Sequence, residues 1–287
     1  KPLKFQASLI VLIGTLMVLS PMISPEARAG RGLWLATLTV AVTAIAEIAY
    51  ITLQAARGRA SHFNSDTPLE AMAYSIMGIA AVLLVLACLV YGVYLLVKPA
   101  ADAQFGFRLG GALGLILGSL LTIVTALALG SGQIAGPGHW VGGIRTDADG
   151  LWLLGWSRTG GDLRVPHFFA THLMQALPLA GLGLDLVAPR LVWPGLVIAT
   201  LAGIAIVGLT FVQALSGRPF LRFRHRRRGT ATPLHLLAYT SGLWPGNRFD
   251  QSSVRTRMLN LIFPAERTFS RAQHRKTLCL DLRREEL

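Results

Sequence analysis

Charge is what this chain has least of. Only 14% of its 287 residues are Asp, Glu, Lys or Arg, against about 25% in a soluble domain. Cysteine is nearly absent as well. Cys88 and Cys279 lie far apart and neither has a partner at metal-ligand spacing, so neither a disulfide framework nor a zinc site follows. There is no Cys-x-x-Cys-His, which excludes covalently attached haem. The chain also lacks Gly-x-Ser-x-Gly, His-Glu-x-x-His and a phosphate-binding glycine loop, the signatures of common hydrolases and nucleotide enzymes.

What is present is apolar length. Hydrophobic residues make up 53% of the chain and the mean hydropathy is +0.53. Several apolar runs reach 18 residues or more, enough to cross about 30 Å of hydrocarbon as helix. The expected fold class is all-α, a polytopic transmembrane bundle of about six helices near residues 7–24, 32–56, 69–97, 107–129, 165–187 and 191–215. The first run also reads as a signal peptide, with Ala27-Arg28-Ala29 as its cleavage site. Its length favours a first membrane helix instead. The expected domains are a membrane domain over 1–220 and a basic, poorly ordered cytoplasmic tail over 221–287. An abrupt composition change at the boundary also fits translation in a shifted frame.

The net charge of +13 belongs to that tail. Residues 1–217 hold 12 basic and 9 acidic side chains, whereas 218–287 hold 15 and 5. The body is therefore not expected to bind nucleic acid. The cluster from Arg222 to Arg228 follows a membrane helix directly, the position in which basic residues attract anionic lipid headgroups. Counting basic residues between spans places both termini, the turn at His62 and the long loop at 130–165 on the cytoplasmic side of a bacterial inner membrane.

Polar groups inside apolar spans are costly and therefore informative. In 32–56, Thr39, Thr43, Glu47, Tyr50 and Gln54 fall on one helical face. In 165–187, His167, Thr171 and Gln175 repeat every four residues, with His172 beside them; Asp162 and Arg164 precede that helix. These residues and His62 suggest a polar site between the second and fifth spans. Gly106, Gly110, Gly114 and Gly118 form a four-residue row that predicts close helix packing. Trp140, Trp152 and Trp156 in the long loop suggest contact with the membrane interface. Asp147 and Asp149 resemble a piece of a calcium loop, but the closing Glu is missing. Gln-Ala-x-x-Gly-Arg closes two spans, at Gln54–Arg59 and Gln213–Arg218, consistent with a parallel internal repeat.

Further residues carry a family resemblance. They are Gln54 and Gly58, Ser61-His62-Phe63-Asn64, Thr67-Pro68, Trp156-Ser157, Gly161-Asp162-Leu163-Arg164, His167-Phe168, His172, Gln175, Leu177-Pro178, and Gln213-Ala214-Leu215 with Gly217-Arg218. Over roughly 33–220 the chain resembles an uncharacterised family of bacterial multi-pass inner-membrane proteins. The resemblance implies the fold and location but no activity.

Four functions fit these residues. One is proton-coupled transport through Glu47, with His167, His172 and Gln175 along the path and a homo-oligomer to supply more helices. Another is a redox protein holding haem b, or serving a quinone, through two of His62, His167 and His172. A third is a membrane enzyme using Asp162, Arg164 and His167 at the cytoplasmic face. The last is a bundle whose polar residues serve only to hold helices together.

Overall fold

The fold is described from a computed structural model, which covers residues 2–132, 134, 138–148 and 150–221. Among the described residues there are seven α-helices: α1 (Pro2–Leu19), a short α2 (Pro25–Arg28), α3 (Arg31–Ala56), α4 (Pro68–Val97), α5 (Phe105–Gly130), α6 (Arg164–Val187) and α7 (Val192–Leu215). Five of them, α1, α3, α4, α5 and α7, are long and apolar enough to cross a membrane. At 24 residues α6 is as long as α7, but Arg164, Asp185, two histidines and a glutamine keep it out of that set. The chain is an all-α bundle with the composition of a membrane protein.

The first helix differs most from its expected span. It stops at Leu19 instead of Ser24, in a 3-10 turn over Ser20–Met22. Pro21 explains this, because a proline disfavours the helical conformation in the residue before it. Leu9, Leu12, Leu16 and Leu19 follow helical spacing and pack into the main core with Leu33 and Val40 of α3 and Leu115 of α5.

Neighbours in sequence are neighbours in space, so α3, α4, α5, α6 and α7 pack in order, and α1 touches both α3 and α6. The closest pair is α5 and α6. The predicted glycine row makes their interface. A Cβ on Gly106 would strike Gly181 and Asp185, one on Gly110 the Leu177 carbonyl, and one on Gly114 the Leu173 carbonyl and Pro178. Backbones that approach this closely leave no room for a side chain. Asp185 completes the seam by accepting the Gly106 and Phe107 amides at 2.9 and 2.8 Å, satisfying two orphan donors at the start of α5. Pro178 lies inside unbroken helix.

The shared hexapeptide has a local cause. Gly58 and Gly217 both adopt positive φ, +67° and +69°. Arg59 N donates to Gln54 O and Arg218 N to Gln213 O, the six-to-one bond of a glycine-terminated helix. Each glutamine then donates its side-chain Nε2 to the carbonyl six residues on, Ala60 O or Pro219 O. Two helix ends that need the same cap account for the likeness without a duplication.

The residues from 222 onward, including the Arg222–Arg228 cluster and Cys279, lie outside the described residues, as does Asp149.

Candidate functional site

One end of the bundle carries the turn after α3, the loop between α5 and α6 and the end of α7. The antiparallel order of the helices brings them there, and Phe63 meets His139 across the first two at 6.4 Å between ring centroids. The candidate residues fall into four groups.

Asp162 and Arg164 form the most built of these. A two-stranded antiparallel pairing of β1 (Trp140–Val141) with β2 (Gly161–Asp162) fixes Asp162 opposite Trp140. Gly161 is required here, because a Cβ would collide with the Ala214 carbonyl at the end of α7. The fully buried Asp162 carboxylate accepts from Ser157 N at 2.9 Å, Arg164 N at 3.0 Å and Arg164 Nη2 at 2.7 Å. Arg164 reaches on to Asp147 at 2.8 Å and to the Gly155 carbonyl at 2.7 Å. Asp147, whose likeness to a calcium loop lacks the closing Glu, is the arginine's second carboxylate.

His139 completes the group. It is buried and bonds Asp147 Oδ1 at 3.2 Å; a carboxylate only accepts, so Nε2 carries the proton. Burial, and then the Arg164 charge, hold its imidazole below the usual value. Burial alone would raise the Asp147 carboxyl, but the Arg164 charge and hydrogen bonds override it and hold it below the usual range.

Gln54 anchors the second group. It lies fully buried at the end of α3 and donates to Tyr50 Oη at 3.2 Å and to Glu70 Oε1 at 3.3 Å, and it accepts from Arg57 at 3.0 Å. Arg59 donates to Glu70 Oε2 at 2.7 Å and to the exposed Asp66 at 3.1 Å. Thr67 caps α4: its hydroxyl oxygen accepts the Glu70 amide at 3.3 Å and the hydroxyl donates to the Glu70 carboxylate at 3.0 Å. Glu70 is buried and was not among the candidate residues singled out from the sequence. The Thr67-x-x-Glu70 spacing with Arg59 nearby was the available signal.

The histidines make up the third group. His167 bonds Thr125 of α5 at 3.2 Å. Thr125 gives its own proton to Leu121 O at 2.8 Å, so His167 Nδ1 is the donor. His172 donates Nδ1 to Gln175 Oε1 at 3.1 Å and packs on Phe168, while Gln175 Nε2 reaches Thr15 of α1 at 3.3 Å. His62 lies against Phe5 and Tyr74. Haem b needs two imidazoles aimed at one iron. His167 and His172 engage different helices. His62 and Gln175, the neighbour of His172, touch α1 ten residues apart, about 15 Å of helix rise. This arrangement does not fit a haem held by His172 with either His62 or His167.

Glu47 stands alone. It is 4% exposed, and Oε1 is buried with no hydrogen-bond partner among the described residues. It lies nine residues before the end of α3, about 13 Å along the axis. The expected pairing of this helix with α6 is corrected. The two share no interface comparable to those of their sequence neighbours, and α1 lies against both. The apolar teeth of α1 fill the space, and Thr15 takes the Gln175 contact that the second span was expected to take.

The loop tryptophans also divide. Trp156 is buried among Phe168, Phe169 and Phe220, and only Trp152 is fully exposed.

No family model, no curated protein and no solved structure matches this chain, so its resemblance to a bacterial inner-membrane family stands on the motifs alone.

Proposed function

We propose that this membrane protein moves protons as a proton-coupled transporter, with Glu47 as the group that takes up and releases the proton. The observation that carries the reading is the unpartnered, buried carboxyl oxygen of Glu47 in a membrane helix. Burying an unsatisfied carboxyl is unfavourable, and intramembrane carboxylates are characteristic of proton relays.

A polar chain leads toward it. Asp66 is exposed at the bundle end, and Arg59, Glu70, Gln54 and Tyr50 follow as hydrogen-bonded neighbours. Tyr50 is three residues from Glu47 on the same helix, adjacent on its surface. In this reading the chain conducts the proton between the aqueous face and mid-membrane. His167, His172 and Gln175 of the sequence-based path are replaced by these groups. The excess of basic residues at this end supports reading it as the cytoplasmic side of a bacterial inner membrane. Six long helices are few for a transporter, so the reading includes a homo-oligomer.

A second reading is favoured by one observation. The other candidate side chains have local partners, as Asp162, Gln54, His167 and Gln175 show, which suits helix packing without transport. Purified protein in liposomes, with proton uptake driven by a potassium diffusion potential and followed by an enclosed pH dye, separates the two. Glu47→Gln abolishes uptake under the first reading and leaves it unchanged under the second.

A further inference from the structure

The loop between α5 and α6 carries an apolar tip that no other part of the account uses. Leu151 N donates to Trp156 O at 2.9 Å and Gly155 N to Leu151 O, closing a tight turn. Gly155 supplies the positive φ, +70°, that the turn requires. At the tip Trp152 is 96% exposed and Leu153 64% exposed. A loop surrounded by water gains nothing from presenting a tryptophan and a leucine side by side. This one is also held in place, because Arg164 Nη2 bonds the Gly155 carbonyl at 2.7 Å.

That bond fixes the depth of the tip. Arg164 opens α6 three residues after Gly161, which lies against the Ala214 carbonyl in the last turn of α7, a helix apolar enough to cross a membrane whose 24 residues span about 36 Å. The hydrocarbon core is about 30 Å thick, so the helix end stands a few ångströms beyond it, among the headgroups. Gly155 is bonded to Arg164 beside that end, and Trp152 is three residues further, within about 10 Å of extended chain. The headgroup layer adds about 5–7 Å on each side. Trp152 is thus within reach of the layer in which tryptophan is enriched at membrane surfaces.

We infer that the turn 151–155 is a membrane-interface anchor, with Trp152 and Leu153 seated among the lipid headgroups of the leaflet at this end of the bundle. The Arg164 network sets the height of the anchor. Lipid is the occupant because the loop that carries the turn packs on the end of α7, which is itself at lipid depth. The anchor ties the loop to the bilayer, so the cluster of Asp147, Asp162 and Arg164 sits at a fixed distance from the membrane surface. The inference does not depend on proton transport.

The test uses Trp152→Cys in a Cys279→Ser background, with Leu153→Cys as a second position. Each variant of the full chain is labelled with an environment-sensitive fluorophore and reconstituted in phosphatidylcholine–phosphatidylglycerol vesicles. The vesicles contain nitroxide lipids with the spin label either near the headgroup or deep in the acyl chain. The expected result is quenching about twofold stronger by the shallow nitroxide than by the deep one, together with poor quenching by aqueous iodide. Strong iodide quenching without nitroxide quenching overturns the inference, because the tip then stands in water. Protection from both quenchers also overturns it, because protein then covers the tip.

Discussion

Gln54 and Gln213 close two different helices in the same way, each reaching to a carbonyl six residues on past a glycine of positive φ. The cap ties the chain that follows to the helix it leaves. At Gln54 the same side chain also meets Glu70, so the cap joins α3 to α4. Gly58→Ala and Gly217→Ala should each cost about 1–2 kcal/mol, the price of a left-handed conformation for a residue with a Cβ. Gly208→Ala, in open space on α7, is the control and should be neutral or stabilising. Thermal unfolding in detergent reads all three.

The glycine seam should be the most sensitive part of the bundle. Gly110→Ala and Gly181→Ala each place a methyl group against backbone that cannot move aside cheaply. An overpacking cost of about 1–3 kcal/mol is expected for each. Gly78→Ala, which meets nothing within 4 Å, should not share it. Retained stability in Gly110→Ala would mean that α5 and α6 are not in backbone contact.

Arg164 bridges two carboxylates and a carbonyl, a task a lysine cannot perform with one point charge. Arg164→Lys should loosen the loop from 138 to 163 while the helices remain folded. Asp162→Asn removes the buried partner and should cost about 3 kcal/mol. Hydrogen exchange at the Ser157 and Arg164 amides, both bonded to Asp162, should quicken in each variant.

Acid should loosen the same loop. The His139 imidazole is held below its ordinary value of 6.5, so the folded loop binds that proton less well than the unfolded chain does. Its contribution is complete above about pH 6.5 and declines as the pH falls below it. Asp147 is held below its ordinary 3.8, so its contribution is present above that value and is lost as the pH falls through the folded value. Trp140, whose ring is tilted against that of His139 at 3.8 Å between centroids, reports the change by fluorescence. His139→Phe should remove the first step and leave the second.

The helices and the glycine seam were legible because both rest on local periodicity. Twenty apolar residues in a row have few alternatives, and glycines four apart lie on one face whatever packs there. The inward face of α3 was legible for the same reason. Which helix would meet that face was not, because its partner depends on the path of the chain. The apolar run at 7–24 reads as a first membrane helix but carries nothing that names its neighbours, and α1 is what lies against both α3 and α6. Arg164 and Asp162 were recognisable as a pair two residues apart. Asp147, seventeen residues from Arg164, joins them only once the loop has folded. The buried Trp156 could not be told from the exposed Trp152 in the sequence, because exposure in a loop depends on its tertiary contacts.

Proton uptake by liposomes containing wild-type protein or Glu47→Gln, at matched reconstitution, tests the central claim most directly. The account predicts uptake by the wild type under an imposed potential and a loss of at least about tenfold in the variant, because general acid–base groups in a proton path contribute on that scale or above. Equal uptake by the two proteins, or none above that of empty liposomes by either, would contradict it.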